Sequence, residues 1–83
     1  MIIDVPLYNK EEGVVINWKE NFQIKTNYSD QTIVITGNRA GLESLASQIL
    51  TLAQDNIEAG THIHYDDGNS LEEGSVDLVI EKA

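Results

Sequence analysis

Two histidines and an aspartate alternate in one short segment. His62, His64 and Asp66 are each separated by a single residue, and in a strand such residues point to the same face at steps of about 7 Å. Imidazole nitrogens and carboxylate oxygens are common ligands of zinc. The spacing therefore allows a metal site that a neighbouring strand would have to complete. The interpretation we favour is that both histidines face solvent and form hydrogen bonds with nearby carboxylates.

A second group consists of carboxylates that follow this segment. Residues 66–74 are polar and contain glycine, and their acidic residues do not have the spacing of a helix–loop–helix calcium site. A glycosidase pair would need a cleft that so short a chain can hardly form. From the residues alone we interpret the segment first as a solvated acidic loop, and as an acidic surface presented to a basic partner second. With the single tryptophan, a residue suited either to the core or to an interface, the candidate partner-binding residues are Asp66, Asp67, Glu72, Glu73, Asp77 and Trp18.

The charge of the chain limits its partners. Its 83 residues include 14 acidic and 5 basic ones, for a net charge of −9. Residues 55–83 hold eight carboxylates against Lys82 alone, a net charge of −7. Nucleic-acid backbones need Lys and Arg contacts and are excluded as partners. The partners that the charge favours are cationic proteins or metal ions, and the alternative is that the acidity only promotes solubility.

Several other function classes find no support in the residues. There is no recognisable nucleophile context and no cofactor motif, so we expect no enzyme activity and no cofactor. The chain lacks cysteine, which favours a reducing cytoplasm. No apolar run approaches the roughly 20 residues of a membrane span.

The periodicity of apolar residues predicts strands and one helix. Asn38 is suited to cap a helix start, and a stripe at helical spacing predicts a helix over about residues 39–57. The predicted apolar stripe consists of Leu42, Leu45, Ala46, Ile49, Leu52 and Ala53. Alternation and β-branched residues predict strands at residues 1–7, 14–18, 22–28, 31–36, 61–65 and 75–81.

These elements predict a single α+β domain over residues 1–83. Its antiparallel-rich sheet would have five to six strands, with the amphipathic helix packed on one face. One helix cannot cover so wide a sheet, so part of the sheet would stay exposed to a partner or to a second copy of the chain. Strand order is not fixed by the pattern.

The second half of the chain carries a resemblance to a known family. The matching segments are Gly37-Asn38-Arg39-Ala40-Gly41-Leu42, Leu45-Ala46, Leu52-Ala53, Gly60 to Asp66, Asn69 to Ser75 and the strand Val76 to Glu81. Over about residues 33–82 the chain is similar to immunity-protein family 32, small bacterial proteins encoded beside polymorphic toxins. The resemblance implies an α+β fold, no catalysis, and inhibition of a toxin domain by tight binding in the cytoplasm.

The leading expectation is thus a non-catalytic protein that neutralises a cognate toxin by stoichiometric binding. Many toxin domains are nucleases with basic clefts, to which an acidic protein would be steered. Two alternatives stay open at this point. One is a structural module that forms a homodimer through the exposed sheet face, and the other is a regulatory module that binds metal at His62, His64 and Asp66.

Overall fold

The computed structural model describes residues 2–83, and regular secondary structure within that range begins at Ile24. The elements are β1 (Ile24–Ser29), β2 (Thr32–Gly37), α1 (Arg39–Leu52), β3 (His62–Tyr65) and β4 (Leu78–Glu81). No helix in residues 2–83 is long and apolar enough to cross a membrane. The predicted α+β class is confirmed.

The predicted single sheet is wrong. Within the described residues the strands form two antiparallel pairs, β1 with β2 and β3 with β4. The outer edge of β1 is covered by an irregular segment, since Ile24 O accepts from Glu72 N at 2.9 Å and Thr26 N donates to the Ser75 hydroxyl at 3.1 Å. The Ser75 hydroxyl thus accepts a hydrogen bond that the backbone carbonyl of a neighbouring strand would accept in a sheet. The β1–β2 and β3–β4 pairs therefore do not join into one sheet.

The β1–β2 hairpin has a two-residue turn at Asp30 and Gln31. Both residues have positive φ, 52° and 60°, as a type I′ turn requires. Strand β2 therefore begins at Thr32, one residue after the predicted start.

The two predicted N-terminal strands are absent from residues 2–23. Met1, the first residue of the predicted strand 1–7, lies outside the described residues. The rest of this part is irregular, with one isolated bridge between Asn9 and Gly13. Its backbone is satisfied by helix side chains instead of a ladder: Ser47 donates to Asp4 O at 2.6 Å, and Ser44 accepts from Lys19 N at 2.8 Å.

The same contacts explain why the helix buries a different face from the predicted one. Its buried residues are Gly41, Ser44, Leu45, Gln48, Thr51 and Leu52. This set is the predicted stripe moved back by about one residue, roughly 100° of rotation. The three buried hydroxyl and amide side chains are satisfied by the irregular N-terminal backbone and by the helix itself. As a consequence, Leu42, Ile49 and Leu50 are exposed.

The start of α1 matches the prediction and its end does not. Asn38 Oδ1 accepts from Gly41 N at 2.8 Å, the predicted N-cap. The helix ends at Leu52, earlier than the predicted residue 57, and turns follow through Asp55 and Asn56. Those side chains favour turns over helix interiors. Gln54, which the prediction placed inside the helix, bonds the N-terminal segment. Its Oε1 accepts from Tyr8 N at 3.0 Å, and its Nε2 donates to Pro6 O at 2.7 Å.

The core lies between α1, β1 and the β3–β4 pair. Its buried members are Ile24, Leu45, Leu52, Ile63, Tyr65 and Leu71, with Val14, Trp18, Phe22, Leu78 and Ile80 packed against them. Strand β4 is shorter than predicted because residues 75–77 lie beside β1 outside any strand, which leaves Val76 exposed.

Candidate functional site

The acidic loop, residues 66–74, is the main candidate for a binding surface, and its first half is organised around Asp66. The Asp66 carbonyl accepts from the amides of Asn69, Ser70 and Leu71, at 3.3, 3.2 and 2.9 Å. Its carboxylate accepts from Gly68 N at 2.9 Å. The loop was predicted, and these local bonds give its backbone a defined path despite its polar composition.

The second half of the acidic loop is tied to the body of the protein. Leu71 is buried in the core, and the next residue bonds β1 through Glu72 N and Ile24 O. Beyond the loop, Val76 N donates to Thr26 O at 3.4 Å, and the Thr26 hydroxyl donates to Val76 O. Glu72 and Glu73 are exposed between these two attachments. Their backbone is therefore held at fixed points on either side.

The structure brings only some of the candidate carboxylates together. Glu72 and Glu73 line adjoining shallow clefts, of about 540 and 380 Å³, that both include Lys25 and Thr36. Neither glutamate forms an ion pair with any other residue of the range 2–83. The pair thus presents two carboxylates without an ion-pair partner among the described residues, on the face of the β1–β2 hairpin that carries Lys25.

The other candidate carboxylates lie apart from this pair. Asp67 is exposed and accepts weakly from Gly74 N at 3.4 Å, whereas Asp66 is half-buried and engaged in the loop's own bonds. Asp77 lines a cleft with Tyr28 and Ile33, on the opposite face of the hairpin from Lys25. The acidic surface therefore wraps around the edge of β1 and is not a single flat patch.

The two histidines lie exposed on one face of β3, as the alternation predicted. His64 Nε2 is 3.1 Å from Asp77 Oδ2, and His62 Nδ1 is 3.1 Å from Gly60 O. Within residues 2–83 no three His, Cys, Asp or Glu side chains are close enough to hold a metal ion. His64 thus has the carboxylate partner that the favoured interpretation expects, whereas His62 bonds a backbone carbonyl.

Trp18 lies in an aromatic cluster with Phe22 and Tyr65. Its ring stacks on Phe22, with centroids 4.3 Å apart, and meets the edge of Tyr65 at 6.0 Å. It is half-buried and packs against the core. Packing accounts for most of its contacts, and a role in an interface stays a prediction.

Sequence reasoning missed the buried polar face of α1. Ser44, Gln48 and Thr51 recur at helical spacing as regularly as the apolar stripe does, so the signal was present. Such a polar face usually indicates exposure to solvent, because polar side chains are buried only where partners satisfy them. Ser44 and Gln48 find such partners in the irregular N-terminal segment. Thr51 bonds the backbone of the helix itself.

The chain is similar to a known protein family over the part that contains the helix and the acidic loop. Comparison with curated proteins and with solved structures gives no match. The model of the family described as Immunity protein 32 matches residues 32–83, more than half of the chain. The matched region includes β2, α1, β3, β4 and the acidic loop, so the chain belongs to the immunity protein 32 family.

Proposed function

We propose that this protein neutralises a cognate toxin domain by stoichiometric binding through its acidic loop and Asp77. Membership of an immunity protein family suggests that a protein neutralises a toxin, and such proteins are generally non-catalytic. The observation that supports this surface is the pair Glu72 and Glu73, which are exposed, unpaired within residues 2–83 and attached on both sides to β1.

Rigid attachment matters because binding costs entropy. Side chains and loops that must be ordered on association reduce the affinity, and a preorganised loop avoids part of that cost. The backbone of residues 72–76 is already bonded to Ile24 and Thr26. Its charges are therefore presented to a partner with little further ordering of the main chain.

The partner's chemistry follows from the charge. The last 29 residues carry a net charge of −7, which produces an attractive field for a basic surface and a repulsive one for an acidic surface. We propose a toxin domain with a basic cleft, such as a nuclease whose phosphate-binding site would be occluded by the carboxylates. Nucleic acid itself would be repelled by the same field.

Titration of the toxin's activity tests this function. A cognate toxin domain would be assayed with increasing amounts of the purified chain. A stoichiometric inhibitor gives a linear loss of activity that ends at one equivalent, because binding is tight relative to the concentrations used. No loss of activity at a large excess, or a loss that grows with time at catalytic amounts of the chain, would refute stoichiometric neutralisation.

A further inference from the structure

Strand β2 has one unpaired edge. In the hairpin register Ser29 pairs with Thr32 across the two-residue turn, so Thr32, Val34 and Thr36 direct their backbone groups toward β1. Ile33 and Ile35 direct theirs outward. No backbone group elsewhere in residues 2–83 bonds to them, so these two residues present two N–H and two C=O groups to solvent.

The side chains of this edge are apolar and uncharged. Ile33, Val34 and Ile35 are 64%, 45% and 39% exposed. Between Thr32 and Gly37 there is no charged residue, in a chain with a net charge of −9. Natural edge strands are usually protected by a charge, a proline or a bulge. This edge has none of these protections, so it has the properties of a strand that pairs with another strand in the functional protein.

We propose that β2 pairs with β2 of a second copy of this chain, antiparallel and centred on Val34. The segment Thr32-Ile33-Val34-Ile35-Thr36 reads the same in both directions. An antiparallel pair about a two-fold axis at Val34 therefore places Ile33 opposite Ile35, and Thr32 opposite Thr36, of the other copy. Such a self-complementary contact is what a symmetric dimer needs.

The backbone fits the same register as the side chains. In that register Ile33 and Ile35 of opposite copies form the hydrogen-bonded pairs, and these are the two residues whose groups point outward. Val34 meets Val34 of the other copy in a non-hydrogen-bonded pair, where side chains are closest. The four free groups of Ile33 and Ile35 in each copy are thereby used, in a continuous sheet of order β1-β2-β2-β1.

The position of the charges favours a second copy over a toxin strand at this edge. Glu72 and its neighbours lie along the outer edge of β1, on the opposite side of the hairpin from the free edge of β2. A two-fold axis at Val34 thus places the acidic loops of the two copies at the far ends of the sheet. Their repulsion is small there, and both loops stay accessible to a toxin. Strand β2 has no charged residue of its own with which to attract a basic partner.

Charge substitutions at the two-fold axis test the dimer. Val34 is exposed beside Asn27, so V34K and V34E should each fold with little change in stability. We expect the natural chain to sediment with twice the mass of one chain at micromolar concentrations. Each variant alone should sediment as a monomer, since its two like charges meet at the axis. An equimolar mixture of V34K and V34E should recover the doubled mass and lose it at high salt.

A matched control is Val79→Lys, which introduces the same charge at a similarly exposed valine of β4 and should leave the dimer intact. A natural chain that remains monomeric at hundreds of micromolar overturns the proposal. The proposal is also overturned if V34K and V34E are each dimeric, or if their equimolar mixture stays monomeric. None of these outcomes depends on toxin binding, so the proposed function is tested separately.

Discussion

The hydroxyl of Tyr65 donates a hydrogen bond of 2.7 Å to the side-chain oxygen of Gln48, and both residues are 1% exposed. The amide of the same glutamine donates to Asn17 O at 3.0 Å. One helix side chain thus joins the end of β3 to the irregular N-terminal segment. Because the acidic loop begins immediately after Tyr65, this contact also fixes where the loop leaves the core.

Replacing Gln48 with alanine should be strongly destabilising. The substitution leaves the Tyr65 hydroxyl and the Asn17 carbonyl without partners and opens a cavity, so we expect the free energy of unfolding to fall by about 3 kcal/mol. Urea denaturation measures the loss. The exposed Gln23 is the matched control, and Gln23→Ala should stay within about 0.5 kcal/mol of the natural chain. Equal effects of the two substitutions would contradict the buried network.

Stability should fall at high pH because of Tyr65. Desolvation by burial raises the pKa of Tyr65 from 10.0 to about 12, so between these values the folded chain retains a proton that the unfolded chain has lost. The contribution is fully present below pH 10 and decreases as the pH rises toward 12, by at most about 3 kcal/mol. Unfolding free energies across this range should decrease less steeply for Tyr65→Phe. Parallel curves for the two proteins would show that Tyr65 is not responsible.

Gly41 should not tolerate alanine, although alanine is the better helix former by about 1 kcal/mol. A Cβ at this position would overlap the carbonyl oxygen of Gln23 and lie 2.9 Å from its carbonyl carbon. The backbone of that residue is bonded to Asn38 at both its N–H and its C=O and cannot yield easily. We expect Gly41→Ala to cost about 1–3 kcal/mol, measured by thermal unfolding. Substitution of Ala40, also in the first turn, by glycine provides the comparison and should cost about 1 kcal/mol. A more stable Gly41→Ala protein would refute the close approach.

The cap at Asn38 was predicted from the sequence, and Gly41 carries a comparable local signal of a close approach. Both are local: a glycine inside a helical pattern needs a reason, and an asparagine before a helix has few better roles. The alternation in β1 and β3 was also readable, because each of these strands has one face toward the core. Strand β2 alternates in sequence as well, yet its residues are exposed on both faces. These are the features that depend on a residue and its near neighbours in the chain.

The features that failed depend on contacts between distant segments. Residues 14–18 have the composition of a strand, yet Val14 and Trp18 pack on the core without a ladder partner. The reason lies about 30 residues away, in Ser44 and Gln48, which bond this segment. Periodicity can rank helix against strand, but it does not say which face of a helix another segment will need.

The candidate site shows the same division. The sequence predicted an acidic loop at residues 66–74 and two exposed histidines, and these features are present. It did not predict that Glu72 and Glu73 would be separated from Asp77 by the edge of β1, because that separation depends on how the loop bonds Ile24 and Thr26. The contact residues for a toxin stay a prediction.

The most direct test of the proposed surface is the rate at which the chain associates with its toxin, measured by stopped flow at several salt concentrations. The Glu72→Gln, Glu73→Gln double variant should associate about five- to tenfold more slowly at low salt, and the difference should vanish at high salt, where charges are screened. The control is Glu11→Gln with Glu12→Gln, another exposed pair of adjacent glutamates and the same change in net charge. It should associate nearly as fast as the natural chain. If both double variants slow association equally, only net charge matters, and the acidic loop is not the docking surface.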